Sequence, residues 1–85
     1  MEYVLTTHAL EEMVRRQIDP AWVERVMKEP EQRLPGAGNR AILQTRIETG
    51  GKIFLVRCVV EDWRNPPVVV TVYRTTKIAK YWRQP

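Results

Sequence analysis

Two alternating runs joined by a pair of glycines constrain this chain more than any other feature. Arg40–Ile47 alternates in polarity, Glu48-Thr49-Gly50-Gly51 follows, and Ile53–Val60 alternates again. Alternation with period two is the mark of a half-buried strand, and adjacent glycines supply the positive φ angles of a tight hairpin turn. After the loop Asp62-Trp63-Arg64-Asn65-Pro66-Pro67, the run Val68–Tyr73 is β-branched or aromatic throughout, the residue types that suit a pleated surface. A meander of at least three antiparallel strands is the expectation. A sheet of this kind needs another layer to bury its apolar face.

The residues before the sheet supply that layer. Thr6 and Thr7 are N-cap types, Glu11 and Glu12 follow near the first turn, and Leu10, Met13 and Val14 recur at helical spacing. A helix is expected from about His8 to Arg16. Asp19-Pro20 starts a second helix, with Asp as the cap and Pro at the first helical position. Val23, Val26 and Met27 form its stripe, with Trp22 beside it, and Pro30 ends it. Neither helix is long enough to hold itself in water, so both must pack on the sheet. Arg33–Asn39, broken by Pro35, Gly36 and Gly38, reads as a loop, with or without a short strand before it. Tyr3–Leu5 has room for a further short strand, and Thr75–Trp82 reads either as a last helical turn or as an extended arm. The expected fold class is α+β: two N-terminal helices on one face of a three- to four-stranded antiparallel sheet, in one domain.

Composition narrows the function classes. With 85 residues there is room for one small core. No apolar run approaches the roughly 20 residues needed to span a bilayer. Met1-Glu2-Tyr3-Val4-Leu5 lacks the basic and apolar regions of a signal peptide. One cysteine and one histidine argue against a disulfide, a zinc site or a histidine-built metal centre. There is no serine, no CxxC, no HExxH and no phosphate-binding glycine loop. The expectation is a soluble cytoplasmic domain without cofactor or metal. Any enzyme chemistry would rest on Arg, Lys, Tyr, Thr and His.

Charge is unevenly placed. The formal net charge is +4, made of −3 over residues 1–32 and +7 over residues 33–85. The sheet segment therefore attracts polyanions, or merely keeps a small protein soluble. Alternation divides the strands into two faces. Ala41, Leu43, Thr45, Ile47, Phe54, Val56, Cys58, Val60, Val68, Val70 and Val72 make an apolar face for the helices to cover. Cys58 within it reads as a small buried hydrophobe with an inert sulfur.

Ile42, Gln44, Arg46, Ile53, Leu55, Arg57, Val59, Glu61, Val69, Thr71 and Tyr73 make the other face, which cannot be wholly buried without stranding charge. It reads as an open surface. Either Arg46 and Arg57 hold phosphates there while Tyr73 stacks or hydrogen-bonds, or it is an ordinary solvated sheet face. His8, at the positive end of the first helix, is either a neutral general base or a packing and capping residue. Arg15 and Arg16 suit the negative pole of the same helix. Arg74, Lys77, Lys80 and Arg83 interleave with Tyr73, Tyr81 and Trp82. That mixture fits nucleic-acid or partner contact, or equally a tail that packs Trp82 and solvates its lysines. Trp63 beside Arg64 is either an exposed anchor or a staple for its loop.

Thr6, His8, Ala9, Met13, Arg16 and Ile18, with Pro30-Glu31 after the second helix and Val70-Thr71-Val72-Tyr73 near the end, resemble the pattern of a bacterial family called domain of unknown function 4258. The chain departs from that pattern at Glu12, where arginine is frequent, and at Gln17, where glycine is usual. The family in turn resembles the RelE/ParE-like toxins and compact, barnase-like ribonucleases. That resemblance implies metal-independent cleavage of RNA by its own 2′-hydroxyl. Arg46 and Arg57 would stabilise phosphate charge, His8 or Tyr73 would move protons, and Thr71, with Arg16, Gln44, Arg74, Lys77 and Lys80, would hold substrate. The implied partners are RNA or the ribosome and an antitoxin-like protein. Two other readings remain beside it: a non-catalytic binding module using the same basic face, and a structural domain with an interface of Trp63, Tyr81 and Trp82.

Overall fold

The computed structural model describes residues 2–84. Eight elements follow one another: β1 (Val4–Leu5), α1 (Thr7–Arg15), α2 (Pro20–Lys28), β2 (Gln32–Pro35), β3 (Ala41–Thr49), β4 (Lys52–Glu61), β5 (Val68–Thr75) and α3 (Ile78–Tyr81). The strands form one sheet in the order β1-β5-β4-β3-β2. The α+β class stands, but the sheet has five strands and is mixed rather than three- to four-stranded and antiparallel. β1 runs parallel to β5, with Val4 opposite Val68. Two residues are too few for any periodicity to show. The pairing is made by backbone groups distant in sequence, the Val4 N–H donating to the Pro67 carbonyl at 2.9 Å.

Local signals set the element ends. The Thr6 hydroxyl accepts from the Ala9 N–H at the start of α1, and the Asp19 carboxylate accepts from the Ala21 N–H at the start of α2. Each satisfies a backbone donor that has no helical partner. Gly50 and Gly51 have φ of +58° and +76°, so the two-residue hairpin between Thr49 and its partner Lys52 is of the kind that glycine makes without strain.

The core lies between the sheet and the two long helices. Ala9, Met13, Ile18, Val23, Val26 and Met27 meet Leu43, Ile47, Val56, Cys58, Val60, Val69 and Val72. Each fully buried aliphatic side chain contributes roughly 1.5–3 kcal/mol of transfer free energy. Two sequence expectations are corrected here. First, α1 presents Ala9 and Met13 to the core, while Leu10 is 49% and Val14 81% exposed. Thr6, rather than Thr7, is the cap, and hydrogen bonds from the Thr6 backbone N–H to Val69 and from its hydroxyl to Val70 set the helix entry. The resulting rotation puts the smaller Ala9 inward. Second, Val69 rather than Val68 and Val70 faces the helices. The pairing of β4 with β5 shifts between Val59 and Val60, so that Val59 opposes Thr71 while Val60 opposes Val69. Val70 is the extra residue of a β-bulge, and beyond a bulge the two faces exchange.

The second face is not open. Leu55 and Gln44 are fully buried and Arg57 is 6% exposed, although none of the three belongs to the helix-side core. The C-terminal segment, α3 with Trp82 and Arg83, folds back across this face.

Candidate functional site

The centre of the second face is Arg57. It sits in the middle of β4 between Val56 and Cys58, which point into the helix-side core, so alternation turns its side chain the other way. In the register, Gln44 of β3 and Tyr73 of β5 lie directly opposite it. The Arg57 Nε donates to the Gln44 Oε1 at 2.8 Å, and its Nη1 donates to the Tyr73 hydroxyl. The guanidinium carbon lies 4.3 Å from the Tyr81 ring centroid and 5.4 Å from that of Tyr73. The two rings meet edge to face at 6.2 Å. The guanidinium, held by the amide and lying over the rings, thus forms one block with them on the sheet.

Gln44 links this block to the chain terminus. Its Nε2 donates to Gln32 Oε1 at 2.7 Å and to the Tyr81 carbonyl at 3.2 Å. Gln32 then holds Arg83 from both sides. Its amide donates to the Arg83 carbonyl at 2.7 Å, and the Arg83 N–H donates to its Oε1 at 3.1 Å. Arg46, two residues along β3 on the same face, lies 4.2 Å above the Trp82 ring and forms a two-pronged pair with Glu31 at 2.9 and 3.2 Å. Hydrogen bonding from Arg46 holds the Glu31 carboxyl below the usual carboxylate range.

Among the described residues Arg57 has no carboxylate partner. Arg15, Arg16, Arg33, Arg40, Arg46 and Arg64 each pair with an acid, and all six are far more exposed than Arg57. Burying a guanidinium with neutral partners alone leaves its charge uncompensated, which costs several kcal/mol after relaxation. The acids of this face, Glu48 and Glu61, lie at its two ends, opposite Ile53 and Val68, and Glu61 is taken up by Arg40 and Arg64.

The structure gathers some of the expected site residues and separates others. Gln44, Arg46, Arg57, Thr71 and Tyr73 share the second face, and exposed Lys77 and Lys80 belong to the segment that crosses it. His8 is exposed in the first turn of α1, whose core residues Ala9 and Met13 place that helix against the opposite face. The arrangement therefore puts the one histidine and Arg57 on different sides of the sheet. Arg16 closes α1 and donates to Glu12 at 2.9 Å. Arg74, two residues beyond inward-facing Val72, lies on the helix side, 4.7 Å above Phe54 and 5.8 Å above Trp22. Gln32 was not legible as a site residue, because its place opposite Gln44 depends on the pairing of β2 with β3. Tyr81, Trp82 and Arg83 carried a signal, their mixture of aromatic and basic types, but not their location.

The family described as domain of unknown function 4258 matches residues 5–74. The chain belongs to this family. Its matched region ends within β5, so the DUF4258 portion includes Gln32, Gln44, Arg46, Arg57 and Tyr73. Tyr81, Trp82, Arg83 and the whole of α3 lie beyond it. No curated protein and no solved structure matches the chain.

Among the described residues no three His, Cys, Asp or Glu side chains come together in a way that would hold a metal ion. No helix there is long and apolar enough to cross a membrane.

Proposed function

We propose that this DUF4258 protein is an RNA-directed domain that holds a phosphodiester on its second sheet face, with Arg57 as the anchoring cation. The observation that carries the reading is the buried Arg57 guanidinium, which pairs with no acid among the described residues. A phosphate oxygen is the partner that such a planar, preoriented donor fits best. Gln44 and Tyr73 fix its orientation. Tyr73 supplies a flat surface on which an unpaired base stacks, and Lys77, Lys80 and Arg83 supply a surrounding positive field.

The RelE/ParE-like resemblance belongs to this proposal. It makes the RNA of the ribosome a fitting target and an antitoxin-like protein a fitting partner. The placement of His8 favours binding without cleavage, since no histidine adjoins Arg57. A metal-independent ribonuclease of this geometry would use Tyr73, whose hydroxyl adjoins the Arg57 guanidinium, as its proton carrier.

One titration separates these readings. Purified protein is mixed with a labelled single-stranded RNA octanucleotide in EDTA, and mobility shift and strand length are both followed. The expected result is a shifted, intact RNA, with binding that weakens steeply as salt rises and is lost in Arg57→Met. Shortened RNA whose yield falls in Tyr73→Phe would establish the ribonuclease instead. Equal binding by wild type and Arg57→Met would remove Arg57 from the site.

A further inference from the structure

We infer that the C-terminal segment from Thr76 to Gln84 is a cover on the Arg57 site, and that RNA binding lifts it. This inference rests on the proposed reading of Arg57 as a phosphate anchor. Three independent observations carry it.

The first is obstruction. Tyr81 lies across the Arg57 guanidinium at 4.3 Å and Trp82 lies across that of Arg46 at 4.2 Å. Arg57 is left 6% exposed, and no pocket opens among the described residues. A phosphodiester chain has no route to Arg57 while the segment is seated.

The second is the nature of the attachment. α3 is four residues long, has no side-chain N-cap, and buries none of its residues fully. Its seat consists of the Tyr81 and Trp82 stacks and the hydrogen bonds that Gln32 and Gln44 make to the Arg83 and Tyr81 backbone. Such contacts are few and partly solvated, which marks an element of low local stability. The segment also carries Lys77, Lys80 and Arg83 and no acid. It is seated over Arg46 and Arg57, so like charges meet, with Glu31 as the nearby counter-charge on Arg46. A polyanion relieves that repulsion and draws the same cations to itself.

The third is the boundary. The family match ends at residue 74, one residue before the end of β5. The residues that form the site lie inside the matched domain, and the residues that close it lie outside.

The arithmetic of such a cover is simple. If it is open one tenth of the time, apparent affinity falls about tenfold, and loosening it recovers that factor. The test uses the full chain. Binding of the single-stranded RNA octanucleotide is measured for wild type, for Gln32→Ala/Trp82→Ala, and for each with Arg57→Met. Neither Gln32 nor Trp82 hydrogen-bonds to Arg57 or stacks on it; Gln32 bonds Gln44 and Trp82 lies over Arg46. Hydrogen exchange at the Trp82 and Arg83 amides, which donate to Ile78 and Gln32, is followed in the wild type with and without RNA, so the answer does not depend on the variant folding.

The expected result is binding tightened about tenfold in Gln32→Ala/Trp82→Ala, abolished by Arg57→Met, with faster exchange at both amides once RNA is bound. Arg57-dependent binding that is unchanged or weakened in the loosened variant, with exchange slowed by RNA, would overturn the cover and make the segment part of the binding surface. Binding that ignores Arg57 in both backgrounds would overturn the underlying reading of the site, and the cover with it.

Discussion

Arg57 and Tyr81 face each other across the second side of the sheet, guanidinium carbon 4.3 Å from ring centroid. One comes from the middle of the central strand and the other from the last helical turn. Their contact turns a face that alternation marks as solvated into a covered one. It also leaves a buried cation whose partners are an amide, a phenol and two rings, with no acid among the described residues to balance it.

That imbalance has a thermal signature. Single-stranded RNA at about 100 times its dissociation constant should raise the unfolding free energy by about 2.7 kcal/mol, or on the order of 10 °C in Tm for a domain of this size. Arg57→Met should remove the shift while the chain still unfolds in one cooperative step. Differential scanning fluorimetry with and without RNA reads both. An undiminished shift in the variant would place the RNA elsewhere.

The rotation of α1 is open to a direct check. Met13 is 6% and Val14 81% exposed. Met13→Ala should cost about 2–5 kcal/mol through its cavity, whereas Val14→Ala should stay within about 0.5 kcal/mol of wild type. Urea unfolding distinguishes them, and equal losses would contradict the helix orientation.

Glu12 accepts hydrogen bonds from both Arg15 and Arg16. These bonds, that of Arg15 foremost, lower its carboxyl from 4.5 to about 2. A folded-state value below the unfolded one stabilises at pH values above 4.5, and the contribution is lost as pH falls towards 2. Carbon-13 titration of the side chain should show that low midpoint. Glu12→Gln should flatten the stability profile over the same interval.

Cys58 lies in the helix-side core, and burial pushes its thiol up to about 12. A thiol-reactive dye at pH 8 should leave the folded protein unlabelled and react fully in urea. Labelling in native buffer then reports opening of the whole core. Rapid native labelling would show that the sheet and helices separate locally.

Much of the scaffold was legible because the signals were local. Asp19-Pro20 marked the start of α2, Gly50-Gly51 marked the hairpin, and alternation brought Gln44, Arg46, Arg57 and Tyr73 to one side. Where the reading failed, a longer-range term intervened. The Val70 bulge exchanged the inward residues of β5 because two strands, not one, set that register. The inward side of α1 followed from how Thr6 docks on Val69 and Val70, which spacing within the helix does not encode. The separation of His8 from Arg57 followed from α1 lying on the far side of the sheet.

By itself the sequence determined the α+β class, the helix caps, the hairpin and the side of each strand on which most residues lie. Those depend on backbone preferences and on side-chain period, both of which act over a few residues. The tertiary structure alone decided that β1 joins β5 in parallel, that Gln32 meets both Gln44 and Arg83, and that the last residues cover Arg57. Each of these joins groups far apart in the chain, and their energies exist only after the sheet has formed. Whether a basic face is exposed or covered is such a quantity: composition fixes the charge, and packing decides what can reach it.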